Sequence, residues 1–275
     1  MMAQTKNRGR RSSSARRSDK YDLYQRSVQE PSADVRFFRR IFRKEYCYEP
    51  RLLREDFCGT GYLCCTWARQ HRENHAIGVD LDPEPLAWGA VNNSSGLRPD
   101  ERQRVTLREG NALEIQGRKV DIVAALNFSY FIFKRRAELL RYFRAARRNL
   151  KAKGLFVLDI QGGPEAQLVQ EEERDVDGFT YIWDQHSFDP ISYRAMCYIH
   201  FRFPDGSLMK RAFSYEWRVW SLPEIREVLL EAGFQRADVY WEGTDHETEE
   251  GNGVFTRRER AENSEAWIAY VVGVK

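Results

Sequence analysis

The 275-residue sequence predicts an α/β fold, a doubly wound and mostly parallel sheet with helices on both faces and an antiparallel β insertion over its carboxyl edge. Three observations predict it. The stretch Leu52-Leu53-Arg54-Glu55-Asp56-Phe57-Cys58-Gly59-Thr60-Gly61-Tyr62, followed by Ala76-Ile77-Gly78-Val79-Asp80, spells strand, glycine turn, helix, strand and acid. Val120 to Leu126 and Leu155 to Leu158 are almost continuously apolar, as central parallel strands covered on both faces are. Residues 178–218 alternate aromatic and polar side chains around a Pro204-Asp205-Gly206 turn, the pattern of antiparallel strands.

In chain order, residues 1–20 read as a disordered basic tail. Lys6, Arg8, Arg10, Arg11, Arg16, Arg17 and Lys20 stand among small polar residues against the single acid Asp19, and such a segment buries too little apolar surface to order itself. Residues 21–275 are then one domain. Val35, Phe38, Ile41 and Phe42 share one helical face ahead of the first strand. Gly59 and Gly61 let the main chain turn sharply and bring its N–H groups against a ligand, and Tyr62 to Arg69 opens a helix whose N-terminal N–H groups face that ligand. Asp80 ends the second strand, where its carboxylate matches the two hydroxyls of a ribose. Asp82-Pro83-Glu84-Pro85 starts a helix, with proline tolerated in the first turn. Val105 to Leu107 is a short strand running into Glu109-Gly110-Asn111-Ala112, and Val120 to Leu126 delivers Asn127-Phe128-Ser129-Tyr130 to the sheet's carboxyl edge. A helix is expected from Lys134 to Leu150, a buried strand after Gly154, and the β insertion over 178–218. Ser221-Leu222-Pro223-Glu224 is a capping-box start to a helix that Gly233 ends. Ala237 to Trp241 and Trp267 to Val272 supply two late strands around a polar loop, residues 242–265.

Composition narrows the function classes. No apolar run approaches a membrane span and no apolar leader opens the chain, so the expected compartment is cytoplasmic. The five cysteines, at 47, 58, 64, 65 and 197, show no C-x-x-C spacing, which argues against a disulfide framework and a metal site. The net charge is +3, nearly balanced apart from the tail. Nucleic acid is a conceivable partner for that tail, but no aromatic side chains interleave its arginines to stack on bases, so a solubilising role is favoured.

The segment from Glu55 to Gly61, with Asp80 after it, resembles motif I and the following acid of the class I S-adenosylmethionine-dependent methyltransferases. Glu55 falls on the family's acidic position and Phe57 where its first glycine is usual. A dinucleotide site would want a third glycine at position 64, which is Cys64. The resemblance implies a seven-stranded Rossmann-like sheet and S-adenosyl-L-methionine as cofactor. It implies that the cofactor is bound by Glu55, Phe57, Cys58, Gly59 and Gly61, by Asp80 and Leu81 at the ribose, and by Asn111 and the Ala112 N–H at the adenine. By the same resemblance Asn127, at the family's fourth motif beside the transferred methyl group, is a further expected cofactor contact, and Tyr24 and Tyr130 are candidate acceptor contacts. The helix before the core is expected to close over the cofactor as a lid, with Arg39 or Arg40 available to its carboxylate.

The Asn/Asp-Pro-Pro-aromatic motif of amino-directed nucleic acid and protein methylases is absent, so the expected acceptor is a small molecule reacting through N, O or C. A hydroxyl acceptor would need a general base, for which His186, His200 and Asp159 are candidates by type. Two alternatives remain open: an RNA methyltransferase using the basic arm, and a cofactor-binding regulator without catalysis. A nicotinamide oxidoreductase is a more distant one.

Overall fold

The computed structural model describes residues 13–245 and 251–275. Helices α1 (Ser14–Arg17), α2 (Lys20–Val28) and α3 (Pro31–Tyr46) precede a run of β1 (Leu52–Asp56), α4 (Tyr62–Gln70), β2 (His75–Asp80), α5 (Pro83–Asn92), α6 (Pro99–Arg102), β3 (Val105–Glu109), β4 (Val120–Ala125), α7 (Arg136–Asn149) and β5 (Leu150–Gly162). Strands β6 (Gln170–Val176), β7 (Phe179–Asp189), β8 (Arg194–Arg202) and β9 (Leu208–Arg218) form a separate antiparallel sheet. The chain then returns through α8 (Leu222–Glu231), β10 (Arg236–Thr244), β11 (Gly251–Arg257) and β12 (Trp267–Val274).

The main sheet has eight strands in the order β11-β10-β12-β5-β4-β1-β2-β3. From β5 to β3 every pairing is parallel, while β12, β10 and β11 add antiparallel strands at the other side. Strand order reverses between β1 and β4, so the loops after these strands diverge and open a crevice at their carboxyl ends. Alternation along β1 decides what faces that crevice: Leu53 and Glu55 lie toward α3 and α4, and Arg54 and Asp56 toward α7.

Two apolar layers sandwich the sheet. On one side Phe38, Phe42, Leu63 and Trp67 of α3 and α4 pack on Leu53, Ile122 and Val157, and on the other Tyr142, Phe143, Val228 and Leu229 of α7 and α8 pack on Val123, Phe156 and Val271. A third cluster joins Leu23 and Tyr24 of α2 to Phe179, Ile199, Phe201 and Phe213 of the second sheet. Burial at roughly 25 cal/mol per Å² makes these layers the main adhesive of the fold.

Three expectations need correction. The main sheet has an eighth strand, because Gly251–Arg257, in the stretch expected to be a polar loop, pairs with β10 as an edge strand whose Phe255 packs on Phe37 and Tyr270. The insertion begins at Gln170 rather than at 178, since a β6 made of Gln-Glu-Glu-Glu-Arg-Asp-Val carries little hydrophobic signal. Residues 14–20 of the expected tail are ordered: Asp19 caps α2 by accepting the Tyr21 N–H at 2.8 Å, and the Ser14 N–H donates to Asp205 at 2.8 Å. The more distal arginines of that tail, Arg8, Arg10 and Arg11, lie outside the described residues.

Candidate functional site

The loop after β1 turns through left-handed backbone at Phe57 (φ 60°), Gly59 (φ 51°) and Gly61 (φ 65°). Position 57 explains the usual glycine there, because only glycine reaches this region without steric cost. Phe57 is held in it by its ring, which packs edge-on against Phe133 and Tyr142 at centroid distances of 6.1 and 5.3 Å. At Gly61 a Cβ would also sit 2.6 Å from Leu107 Cδ2, so both backbone and space require glycine. The loop is pinned by the Cys58 N–H donating to the Val79 carbonyl at 3.0 Å, and Gly61 then starts α4, which points its free N–H groups into the crevice.

Asp80 ties the first two loops together. Its Oδ2 accepts the Gly59 N–H at 2.7 Å and its Oδ1 accepts the Asp82 N–H at 2.9 Å, leaving each oxygen a further lone pair for a hydroxyl donor. Leu81 beside it is 70% exposed. In the loop after β3 the Asn111 side-chain oxygen accepts the Leu113 N–H at 3.0 Å, so this amide shapes its own turn first and offers an adenine amino group only its second lone pair. Ala112 is buried, and its N–H has no acceptor among the described residues.

At the end of β4 both Asn127 (φ 55°) and Phe128 (φ 56°) are left-handed. Asp159 on β5 holds them there, its two oxygens accepting the Asn127 N–H at 2.6 Å and the Phe128 N–H at 2.9 Å. Burial pushes its carboxyl up to about 7, against the pull of these N–H donors. Each oxygen accepting one N–H, Asp159 supports this loop. Tyr130 is corrected: it is fully buried between Phe131 and Phe143 and donates its hydroxyl to the Asp159 carbonyl at 2.8 Å, away from any acceptor.

Above these loops lie α2 and the start of α3. Gln25 Nε2 donates to the Thr60 hydroxyl at 2.7 Å, Asp19 accepts the Trp88 indole N–H at 2.8 Å, and the Tyr24 ring stands 4.9 Å from that of Phe213. Helix α2 therefore spans from the glycine loop and α5 to the second sheet and covers the loops, whereas α3, the helix expected to be the lid, packs its Val35, Phe38, Ile41 and Phe42 face on the main sheet. The Tyr24 hydroxyl lies within electrostatic reach of that of Tyr215 and of the carboxyls of Asp159 and Glu55. Tyr215 stacks on Trp217 at 4.7 Å, and Trp217 meets Phe128 edge-on at 6.0 Å, so the second sheet supplies an aromatic roof.

Under the lid the structure gathers carboxylates from three elements. Glu55 accepts the Cys64 thiol at 3.2 Å and burial pushes its carboxyl up to about 8, while Asp34 of α3 accepts the Tyr270 hydroxyl at 2.6 Å and is pushed up to about 6 by burial. Asp34 raises both Glu55 and Asp159 by like-charge repulsion. Asp34, Asp159, Tyr24 and Tyr215 lie deep in the molecule yet keep accessible surface, as residues lining an internal recess do. A recess of this kind suits a ligand carrying positive charge.

Other candidates fall elsewhere. Arg39 pairs with Glu49 at 3.1 Å and Arg40 bonds the Phe255 carbonyl, both on the outer side of α3, so neither reaches a cofactor carboxylate. His200 shares its sheet face with Ile182 and Tyr198, opposite the face of Cys197, Ile199 and Phe201 that meets α2. There its Nδ1 accepts the Arg211 N–H at 2.8 Å and its Nε2 lies 3.3 Å from Asp184, with His186 exposed beside them. Neither histidine faces the recess, so neither serves as its base. Gln25, Asp34, Tyr215 and Tyr270 escaped sequence analysis, since each reaches the site only through long-range packing. Among the described residues no group of His, Cys, Asp and Glu is placed to hold a metal ion, and no described helix is long and apolar enough to cross a membrane.

Comparison with known proteins bears on the domain and the fold. Residues 57–154 match the family model of a methyltransferase domain. No curated protein matched the sequence. The fold is similar to that of an S-adenosylmethionine-dependent methyltransferase from Clostridium acetobutylicum, with 21% identity over 92% of this chain and 97% of that one and a TM-score of 0.64. It is similar to the sugar N-methyltransferase KedS8 from Streptoalloteichus, at 20% identity over 100% and 99% of the two chains and a TM-score of 0.63. It is also similar to CalS10 from Micromonospora echinaspora, an amino pentose methyltransferase solved with S-adenosylmethionine, at 18% identity over 94% and 98% and a TM-score of 0.61. The expected methyltransferase domain is matched over residues 57–154, and the expected fold is borne out.

Proposed function

We propose that this chain is a class I S-adenosylmethionine-dependent methyltransferase and that it methylates a small-molecule acceptor under its aromatic roof, a reading supported by the domain match and the fold. The observation that carries the proposal is Asp80, whose carboxylate holds the glycine loop at the Gly59 N–H with one oxygen and its own loop at the Asp82 N–H with the other, keeping a second lone pair on each for a ribose diol. The other residues fit the same cofactor. The Ala112 N–H is open to an adenine nitrogen, and Asp34, joined by Glu55 once its raised carboxyl gives up its proton, offers negative charge where the aminocarboxypropyl end, with its ammonium, and the sulfonium would lie.

When bound, S-adenosylmethionine supplies a methyl group already activated by the sulfonium. The chain's own residues then have to bind, orient and exclude water. Asn127 and Phe128, locked by Asp159, form a rigid floor, and α2, latched by Gln25 to Thr60, covers the site. Orientation of this kind can supply as much as ~7–11 kcal/mol of a barrier, so no protein nucleophile is needed. Trp183, Tyr215 and Trp217 would enclose an acceptor of limited size. That two of the similar folds carry out methylation of sugars supports the small-molecule reading.

The test has two stages. Calorimetric titration with S-adenosylmethionine and S-adenosylhomocysteine should give saturable binding. Incubation with panels of small amines, hydroxyl compounds and unmodified RNA should then release S-adenosylhomocysteine with a small molecule and not with RNA. Release with RNA alone would favour the basic-arm alternative, and binding without release from any member would favour a regulator.

A further inference from the structure

Beneath the loop after β3 lies a buried ion pair that the proposed chemistry does not use. Arg54 and Asp56, on the face of β1 away from Glu55, have side chains 3% and 0% exposed and meet at 2.7 Å from Nε to Oδ1. Arg54 Nη1 donates to the Ile115 carbonyl at 2.7 Å and Nη2 to the Ala112 carbonyl at 3.1 Å. Asp56 Oδ2 accepts the Tyr142 hydroxyl at 3.1 Å, so the pair is satisfied from all sides.

Burying two charges is costly, and an apolar pair of similar volume packs at least as well in most interiors. A reason for charge here is that the turn from Asn111 to Ile115 points carbonyls inward, and an inward carbonyl needs a donor. Only a guanidinium reaches two separate carbonyls and a carboxylate at once with fixed planar geometry; an ammonium on a flexible stem does not.

We infer that Arg54 is a positioning residue for recognition of the cofactor's base, clamping the Ala112 and Ile115 carbonyls to β1 so that the Ala112 N–H stands at a fixed place facing the crevice. This rests on the proposal that an adenosyl cofactor occupies that crevice. Arg54 touches no ligand. It acts through the backbone of the turn, with Asp56 and Tyr142 setting the plane of its guanidinium.

The experiment compares Arg54→Lys and the charge-free double variant Arg54→Met/Asp56→Leu with the unaltered chain. Calorimetry is run with S-adenosylhomocysteine and with its hypoxanthine analogue S-inosylhomocysteine, and thermal melts check folding. The double variant keeps the inference testable should a lone lysine leave Asp56 poorly paired. We expect the unaltered chain to prefer the adenine compound and both folded variants to lose about five- to tenfold of that preference, the size of one lost hydrogen-bonded support. A uniform loss on both compounds, or an unchanged ratio in either folded variant, overturns the clamp. Failure of the unaltered chain to bind S-adenosylhomocysteine at all overturns the site reading instead, and the clamp with it.

Discussion

Replacing Asp80 with asparagine exchanges one carboxylate oxygen for an amide nitrogen and removes one charge. In the structure Oδ2 holds the Gly59 N–H at 2.7 Å and Oδ1 the Asp82 N–H at 2.9 Å, so an asparagine satisfies one of these donors and presents an NH2 group to the other. A bound ribose would add a hydroxyl to each oxygen, and a hydrogen bond to a charged group contributes about 1.5–3 kcal/mol. Part of that survives through the amide oxygen. The net cost for cofactor binding is then about 2–4 kcal/mol, or roughly thirtyfold to a thousandfold in dissociation constant. Calorimetric titration of Asp80→Asn with S-adenosylhomocysteine measures it, with a thermal melt to account for any loosening of the glycine loop. The 2′-deoxy and 3′-deoxy forms of the ligand complete a cycle: if Asp80 holds the diol, deleting a hydroxyl should cost the variant much less than it costs the unaltered chain. Additive losses, or a total change under about threefold, would show that the carboxylate serves the loop and not the sugar.

Other outcomes follow from the same geometry. The carboxyls of Asp34, Asp159 and Glu55, raised to about 6, 7 and 8 chiefly by burial, keep protons in the folded chain that the unfolded chain has already released. Their contribution to stability is therefore full below about pH 4 and is lost as pH rises through the folded values, so melts of the ligand-free protein should show Tm falling from about pH 4 to about pH 8, with Glu55→Gln flattening the upper part. A rising Tm across that window would contradict this. For the same reason cofactor affinity should increase over that range, by at most about tenfold per pH unit for each proton released on binding. Gln25→Ala removes the latch to Thr60 and should weaken S-adenosylhomocysteine by about fivefold without moving Tm appreciably; equal affinity would separate α2 from ligand closure. Phe57→Gly relieves left-handed strain of about 1 kcal/mol but loses the packing on Phe133 and Tyr142, for a net loss of about 1–2 kcal/mol in denaturant unfolding, and a gain in stability would mean the ring contributes little.

The parts of this protein legible in its sequence are those written in local spacing. The glycine turn, the acid after β2 and the apolar strands β4 and β5 depend on neighbours within a few residues, and the structure has them where they were expected. Strand β11 was illegible because Gly251-Asn252-Gly253-Val254-Phe255 is an edge strand with one packed ring, and edges need little apolar content. Asp34 reads as an ordinary acid in the first turn of a helix, and only the approach of Tyr270 from the last strand gives it a role. The histidines show the same limit from the other side. Aromatic side chains on both faces of β8, Tyr198 on one and Phe201 on the other, hide which face meets α2, and a period of two then puts His200 on the other, itself buried, face. Arg54 and Glu55 are neighbours in sequence, and alternation along β1 puts them in separate layers.

Diffraction from crystals grown with S-adenosylhomocysteine tests the central claim most directly. The account predicts density for one ligand across the ends of β1 and β2, its ribose hydroxyls on Asp80, its base against the Ala112 N–H and its amino end toward Glu55 and Asp34. Density for the ligand anywhere else, or the crevice filled by the protein's own side chains at saturating ligand, would contradict it.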